Sequence, residues 1–177
     1  NVYYSADKND DDIPDKYQIA VTYSAVNGTV SLTGPIYVTL FKEGNWATAA
    51  EGGVGYLTEA QIATATANTG YHFTEWTPET PTVELALNED TEFVAKYVIN
   101  EYTATVKYID EDTNEEVALA KTLTVDHGTE VDGADHVIEI NDYVYTSADT
   151  ATITEDGMSI NVYYSADKND DDIPDKY

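Results

Sequence analysis

Oxygen-bearing side chains recur at alternate positions in the segment DKNDDDIPDKY, which occupies residues 7–17 and returns unchanged at 167–177. Counted from the first aspartate, they stand at positions 1, 3, 5 and 9, and position 7 is an isoleucine whose backbone carbonyl can turn inward. A calcium ion takes about six to eight oxygen ligands, and loops that hold it use alternate residues in this way. The sequence therefore predicts two structural calcium sites. Their candidate ligands are Asp7, Asn9, Asp11, Ile13, Asp15, Asp167, Asn169, Asp171, Ile173 and Asp175.

Two positions of the segment depart from a standard EF-hand calcium loop. Its tight turn normally uses glycine, but the corresponding residue here is Asp12, which tolerates the left-handed backbone conformation better than most residues do. Position 12 of the loop, normally a bidentate acid, is Gln18 after the first copy. We therefore expect weak binding, with a dissociation constant of roughly 10⁻⁴ to 10⁻³ M.

Charge repulsion within the segment favours a bound cation. Two carboxylates about 6 Å apart repel by roughly 0.7 kcal/mol even in water. Five aspartates lie within residues 7–15, and Lys8 and Lys16 offset only part of that charge. The alternative is a solvated acidic linker that binds nothing specifically, as most charge runs between domains do.

The composition excludes several partners and chemistries. The 177-residue chain has 8 Lys, no Arg and 34 Asp plus Glu, for a formal net charge of −26. It cannot assemble the basic face that nucleic acid or an anionic lipid surface requires. The absence of cysteine removes disulfides and thiolate chemistry. An apolar content of 42% with 15 tyrosines suffices for small cores, and no apolar run is long enough for membrane insertion.

The duplicated ends predict the organisation of the chain. NVYYSADKNDDDIPDKY occupies 1–17 and recurs at 161–177, an offset of 160 residues that indicates one period of a tandem array. Between the copies, YQIAVTY at 17–23 and YTATVKY at 102–108 open two similar stretches. We predict four segments: an orphan strand with an acidic calcium loop from the preceding repeat at 1–16, modules at 17–99 and 100–165, and a second acidic loop at 166–177.

Hydrophobic alternation predicts that both modules are mainly β (α+β). Apolar and polar residues alternate over 102–108, and the polar turn DEDTNE that follows indicates a hairpin over 102–125. The capping-box pattern TEAQ at 58–61 predicts one or two helical turns before a Thr-rich run ends them. We expect each module to be a sheet with at most one short helix.

Short motifs in both modules resemble known surface-protein repeats. Residues 101–165, with YTATVKYIDEDTNEEVALAKTLTV and ITEDGMSINVYY, resemble the mucin-binding-protein repeats of Gram-positive surface proteins. Residues 17–99, with NGTV and GYHFTEWTP, resemble internalin-type B repeats, and the acidic segment is similar to thrombospondin type 3 repeats. The resemblance implies two β-grasp, ubiquitin-like modules in tandem within a cell-wall-anchored protein of a bacterial surface. It also implies host mucin or glycoprotein glycans as partners.

Few other residues suggest a site. Trp46, in the turn-like sequence EGNW, is a candidate for stacking on sugar rings, whereas Trp76 shares a strand with Tyr71 and Phe73 and is expected in the core. The three histidines are too scattered for a metal triad. No catalytic constellation is recognisable, so we do not expect an enzyme.

Two hypotheses about function follow. In the first, the chain is a repeat unit of an adhesin, a calcium-stiffened stalk that joins neighbouring repeats and also contacts host mucin or glycans. In the second, it is a dedicated glycan-binding module and the acidic segment is only a flexible linker. Residues 161–165 should form the last strand of the second module. The identical residues 1–5 have no module to complete, so we expect them to be disordered or to pair with an edge of another chain.

Overall fold

The computed structural model describes residues 5–168 and 173–176, and it is mainly β. About half of the chain is strand, and no helix within these residues reaches seven residues. The backbone divides into two compact units between Val98 and Ile99, called unit 1 and unit 2 below. None of the helices in the described residues combines the length and the apolar character needed to cross a membrane.

The described residues of unit 1 form eight strands in chain order. They are β1 (Gln18–Ala25), β2 (Gly28–Val30), β3 (Ile36–Thr39), β4 (Phe41–Lys42), β5 (Asn45–Trp46), β6 (Ala65–Ala67), β7 (Tyr71–Thr77) and β8 (Thr91–Ile99). Its main sheet has the order β3-β1-β8-β7. β1 pairs antiparallel with β3 and parallel with β8, where Tyr23 lies opposite Phe93. Two small two-stranded sheets, β2-β6 and β4-β5, lie outside it.

The described residues of unit 2 form six further strands. They are β9 (Glu101–Asp110), β10 (Glu116–Asp126), β11 (Glu130–Asp132), β12 (Tyr143–Ala148), β13 (Thr150–Thr152) and β14 (Met158–Ala166). The main sheet has the order β10-β9-β14-β12, and β11 and β13 form a separate pair. β9 and β10 are antiparallel, which confirms the predicted hairpin, and the register shifts between Glu116 and Lys121. β14 pairs parallel with β9 and antiparallel with β12.

In both units the first and last main-sheet strands, β1 with β8 and β9 with β14, are parallel neighbours at the centre of the sheet. Parallel strands run in the same direction, so the first strand starts and the last strand finishes at opposite ends of the sheet. The chain therefore enters each unit at one end of its strands and leaves at the other. A nine-residue strand such as β14 rises by about 3.3 Å per residue, so entry and exit are separated by roughly 30 Å.

The core of unit 1 is a single cluster with three aromatic rings at its centre. The ring of Tyr23 stacks on Phe93 at 5.5 Å between centroids and meets Trp76 edge-on at 5.6 Å. Phe93 is fully buried and Trp76 is 9% exposed, so the expectation that Trp76 is a core residue is confirmed. Such ring pairs add about 0.5–1.5 kcal/mol beyond the area they bury.

The core of unit 2 is divided into two clusters along β9 and β14. Alternate residues of β9 point inward, as the sequence pattern predicts: Ala104, Val106 and Tyr108 are each at most 2% exposed. Ile160 and Val162 of β14 lie beside Val106 and Tyr108 in the parallel pairing and are fully buried as well. Period-2 alternation thus places one face of each central strand in the interior.

In the part of the chain that the structure describes, helical structure is confined to short 3₁₀ segments, at Asp15–Tyr17, Ala49–Glu51, Glu59–Gln61 and Gly133–His136. The predicted helix after Thr58 is one turn, and the Gln61 side-chain oxygen accepts a hydrogen bond from the Thr58 amide at 2.9 Å. The expectation of at most one short helix per module is wrong for residues 17–99. A second capping box, between Thr48 and Glu51, starts another turn there, and the left-handed Gly52 ends it.

Candidate metal loops and exposed aromatic residues

The first acidic loop is wound around the carboxylate of Asp7. Its Oδ1 atom accepts hydrogen bonds from the amides of Asp10 and Asp11 at 2.9 and 3.3 Å, and its Oδ2 atom accepts one from Asp12 at 3.0 Å. Asp10 and Asp12 adopt left-handed φ angles of 61° and 66°. Aspartate is among the few residues that adopt this conformation readily, so the position expected to need glycine is served by Asp12.

Asp11 joins this loop to the first residue of β1. Its Oδ1 atom accepts from the Ile13 amide at 2.9 Å, and its Oδ2 atom accepts from Gln18 Nε2 at 2.6 Å and from Asn9 Nδ2 at 3.1 Å. The hydrogen bond from Gln18, followed by those from Ile13 and Asn9, holds the pKa of the Asp11 carboxyl below its ordinary value. Gln18, expected only as a departure from the ligand pattern, therefore contacts the loop directly.

Asn9 carries an unsatisfied oxygen. Its Nδ2 atom also donates to Gln18 Oε1 at 3.2 Å, but its Oδ1 atom is buried and has no hydrogen-bond partner among residues 5–168 and 173–176. A buried polar atom without a partner costs about 1–3 kcal/mol, and native structures rarely tolerate one. A cation beside this oxygen would satisfy it.

The last residues of the loop close it on its beginning. The Asp15 amide donates to the Ala6 carbonyl at 2.8 Å, and Asp15 Oδ1 accepts from the Lys8 amide at 3.0 Å. Ile13 is half-buried. The loop therefore brings Asn9 and Asp11 together with Gln18, while the Asp7 and Asp15 carboxylates accept hydrogen bonds from the loop backbone.

In the second copy, Asp167 is 4% exposed and Ile173 is 54% exposed. The Asp175 amide donates to the Ala166 carbonyl at 2.8 Å, and both carboxylate oxygens of Asp175 accept from the Lys168 amide at 3.3 Å. The predicted ligands Asn169 and Asp171 lie outside the described residues, as do residues 1–4 of the expected orphan strand.

The oxygens of the first loop fit a hard cation, although its carboxylates also serve the backbone. Among residues 5–168 and 173–176, no three His, Cys, Asp or Glu side chains lie close enough together to hold a metal ion. The Asp7 and Asp11 carboxylates accept amide hydrogen bonds, but an ionised carboxylate has about four acceptor positions in all. The all-oxygen donor set and the unsatisfied Asn9 oxygen fit calcium chemistry.

Lys176 ties the second loop to the β9–β10 turn, a contact that the sequence does not predict. Its Nζ atom contacts Glu111 Oε1 at 2.5 Å and Asp112 Oδ1 at 3.2 Å. Asp112 Oδ2 accepts from Ser165 Oγ at 2.6 Å. That bond, and then the lysine, lower the pKa of Asp112, while the bond to Glu111 is the main reason that the pKa of Lys176 is raised. The only sequence signal for this site is the acidic turn DEDTNE.

Trp46 lies on an exposed hairpin of unit 1. It pairs across β4-β5 with Phe41, and the two side chains are 46% and 45% exposed. The turn between them, Glu43-Gly44, has positive φ at both residues, as a two-residue hairpin turn of this type requires. The Tyr17 ring lies 5.9 Å from Trp46, and Lys16 Nζ lies 4.7 Å from the centre of the Tyr17 ring. The hairpin thus presents aromatic surface beside the end of the first loop.

No protein-family model matches this chain, and no curated protein sequence matches it significantly.

Proposed function

We propose that the chain is a repeat unit of a spacer, in which two β modules alternate with acidic loops that bind calcium. The parallel pairing of first and last strands in each unit carries this proposal. A module entered at one end and left at the other lengthens a stalk, whereas a module whose ends meet at one edge adds little length. The identical 17-residue segments, 160 residues apart, support the same joint at each repeat.

The strand order supports assigning the finer fold to the β-grasp class. Both units have a mixed four-stranded main sheet. Its first strand pairs antiparallel with an early strand, β3 or β10, and parallel with the last strand, and the last strand pairs with a fourth strand on its other side. The helix that would cover such a sheet is reduced to 3₁₀ turns in both units. Together with the resemblance to Gram-positive surface repeats, this strand order supports a place for the modules on an extracellular, cell-wall-anchored protein.

A bound calcium ion would supply the positive charge that this acidic loop lacks. Asp7, Asn9, Asp11 and Asp15, with the Ile13 carbonyl, would hold the ion in the first loop, and the identical residues would do so in the second. Gln18 can add its side-chain oxygen by turning its amide, which now donates to Asp11. Bound calcium would satisfy the Asn9 oxygen and neutralise the repulsion among five neighbouring aspartates. The loop would then be a stiff joint.

A calorimetric calcium titration of the chelator-treated chain tests this function. We expect saturable binding at two sites, with dissociation constants of roughly 10⁻⁴ to 10⁻³ M. Asp11→Ala and Asp171→Ala should each remove one site, and the double variant should remove both. Asp135→Ala with Glu79→Ala, two exposed acids outside the loops, removes the same charge and should leave binding unchanged.

The titration also identifies the outcome that contradicts the proposal. If millimolar calcium gives no heat, or if the double variant binds like the parent chain, the loops are not calcium sites and the segment is an acidic linker.

Trp46 favours a second function, the binding of mucin or other host glycans. Exposed aromatic rings such as Trp46 and Phe41 offer flat apolar faces on which sugar rings can stack. Since Trp76 is buried, mucin oligosaccharides that bind this hairpin should change the fluorescence of Trp46 in particular, and Trp46→Phe should abolish the change. An unchanged fluorescence spectrum at millimolar oligosaccharide would contradict glycan binding at this hairpin, and the spacer would then be the single proposed function.

A further inference from the structure

The two copies of the acidic loop are closed by the same hydrogen bonds. Asp15 donates to the Ala6 carbonyl and Asp175 to the Ala166 carbonyl, both at 2.8 Å. The lysine amide at the start of each copy donates to the aspartate carboxylate at its end, at 3.0 Å in the first and 3.3 Å in the second. The two copies are therefore closed in the same way in two different surroundings.

The first copy shows how the loop binds the unit that follows it. Asn9 and Asp11 form hydrogen bonds with Gln18, the first residue of β1. The Tyr17 carbonyl accepts from the Leu40 amide at 2.8 Å, and the Tyr17 ring packs against Trp46. These contacts use the middle of the loop and its final tyrosine.

The second copy shows how the loop binds the unit that precedes it. Lys176 contacts both Glu111 and Asp112, and Ser165 of β14 holds Asp112 in place. The Asp167 amide also donates to the Asp142 carbonyl at 2.8 Å, immediately before β12. These contacts use the first residue of the loop and its second lysine.

The two sets of contacts use different positions of the same sequence. Positions 9, 11 and 17 bind the following unit, whereas positions 167 and 176, equivalent to 7 and 16, bind the preceding one. We propose that the loop is a two-sided connector that binds the β9–β10 turn of one period and the Trp46 hairpin of the next at the same time. The partner is thus a second copy of unit 1, and the inference rests on the proposed spacer function.

The lysines at the same position of the two copies make different contacts. Lys176 lies against two carboxylates, whereas the identical Lys16 lies over the Tyr17 ring. Glu111 and Asp112 belong to unit 2, so the contact with the acids forms at a loop that follows unit 2. This difference gives a matched pair of substitutions in identical local sequence.

A chain of two periods, residues 1–177 followed by a second copy of 18–177, tests the connector. Because the chain has no cysteine, Thr124→Cys in the first period and Lys96→Cys in the second place one spin label on each side of the internal loop. Both positions are exposed and lie in strands. Double electron–electron resonance then measures the distribution of distances between the two spin labels, in the presence of calcium and after chelation.

We expect one narrow distribution in calcium, and at least a twofold broadening when Lys176→Met is introduced in the internal loop. Trp46→Ala in the second period should broaden it as well, while Lys16→Met in the first loop should leave it unchanged. Circular dichroism of each variant verifies that the units remain folded. A distribution that is broad in the parent chain, or narrow in both variants, would overturn the connector.

Chelation separates this inference from the proposed function. A narrow distribution that survives chelation but is lost with Lys176→Met supports the connector and removes calcium from its role. A distribution that chelation broadens and that neither Lys176→Met nor Trp46→Ala affects supports the calcium joint and overturns the connector.

Discussion

Units 1 and 2 reach the same order of central strands with different interiors. Unit 1 packs three aromatic rings into one cluster, whereas unit 2 divides its core into two clusters. The buried polar residues of the described chain, Asp110, Ser165 and Asp167, all belong to unit 2. They lie where β9 and β14 end, beside the turn that binds Lys176. The comparison teaches that strand order tolerates different cores, and that unit 2 uses polar groups where its chain leaves the sheet.

The largest expected difference in stability between the two units should come from Phe93→Ala. Phe93 is fully buried at the centre of the aromatic cluster, so its truncation should lower the free energy of unfolding of unit 1 by about 3–5 kcal/mol. Both tryptophans are in unit 1, so tryptophan fluorescence during urea unfolding reports this unit alone. Val98→Ala, at a half-exposed position of the same strand, should change it by less than about 0.5 kcal/mol. A fluorescence midpoint that stays in place with Phe93→Ala would contradict the assignment of this ring to the core.

A smaller effect, confined to unit 2, is expected from Tyr164→Phe. The buried hydroxyl donates to the Ile138 carbonyl at 2.9 Å and accepts from the Ile138 amide at 3.0 Å. Its loss leaves both groups unpaired and should cost about 1–3 kcal/mol. Far-UV circular dichroism should show an earlier transition, while tryptophan fluorescence stays unchanged. Tyr145→Phe is the matched control, since Tyr145 is 39% exposed. If the midpoint measured by fluorescence shifts together with the midpoint measured by circular dichroism, the two units unfold as one.

The smallest expected effect is the pH dependence of the attachment of the second loop to the β9–β10 turn. Asp112 has a lowered pKa in the folded chain, so its contribution is present above its ordinary value of 3.8 and is lost as the pH falls through the folded pKa. Lys176 has a raised pKa, so its contribution is complete below 10.5 and is lost as the pH rises through the folded value. The loop should therefore stay attached to its turn between about pH 4 and pH 10.

Amide chemical shifts of the second loop measure this window. Signals of Lys168 and Asp175 should change at both ends of the range, and Lys176→Met should remove the alkaline step. Lys16→Met, the same substitution in the first loop, is the matched control and should leave that step in place. An alkaline step that survives Lys176→Met would show that the contact with Glu111 and Asp112 does not hold the second loop.

Much of the local structure can be predicted from the sequence. Alternation identifies β9 and its hairpin with β10, and the capping box identifies the turn after Thr58. The left-handed conformation of Asp12 is also foreseeable, because a tight loop needs such a residue. The contact between Gln18 and Asp11 and the unsatisfied Asn9 oxygen are not, since they depend on how the loop meets β1.

The sequence by itself determined the strands, their inward faces, the extreme negative charge and the two identical acidic loops, because each depends on neighbouring residues or on composition. Only the tertiary structure decided that the first and last main-sheet strands of each unit lie side by side, since hydrophobic alternation has the same period in every pairing. It also decided that Lys176 binds Glu111, 65 positions away, whereas the identical Lys16 lies over Tyr17. An ion pair depends on which groups the fold brings within about 4 Å of each other, so identical sequences form different contacts in different surroundings.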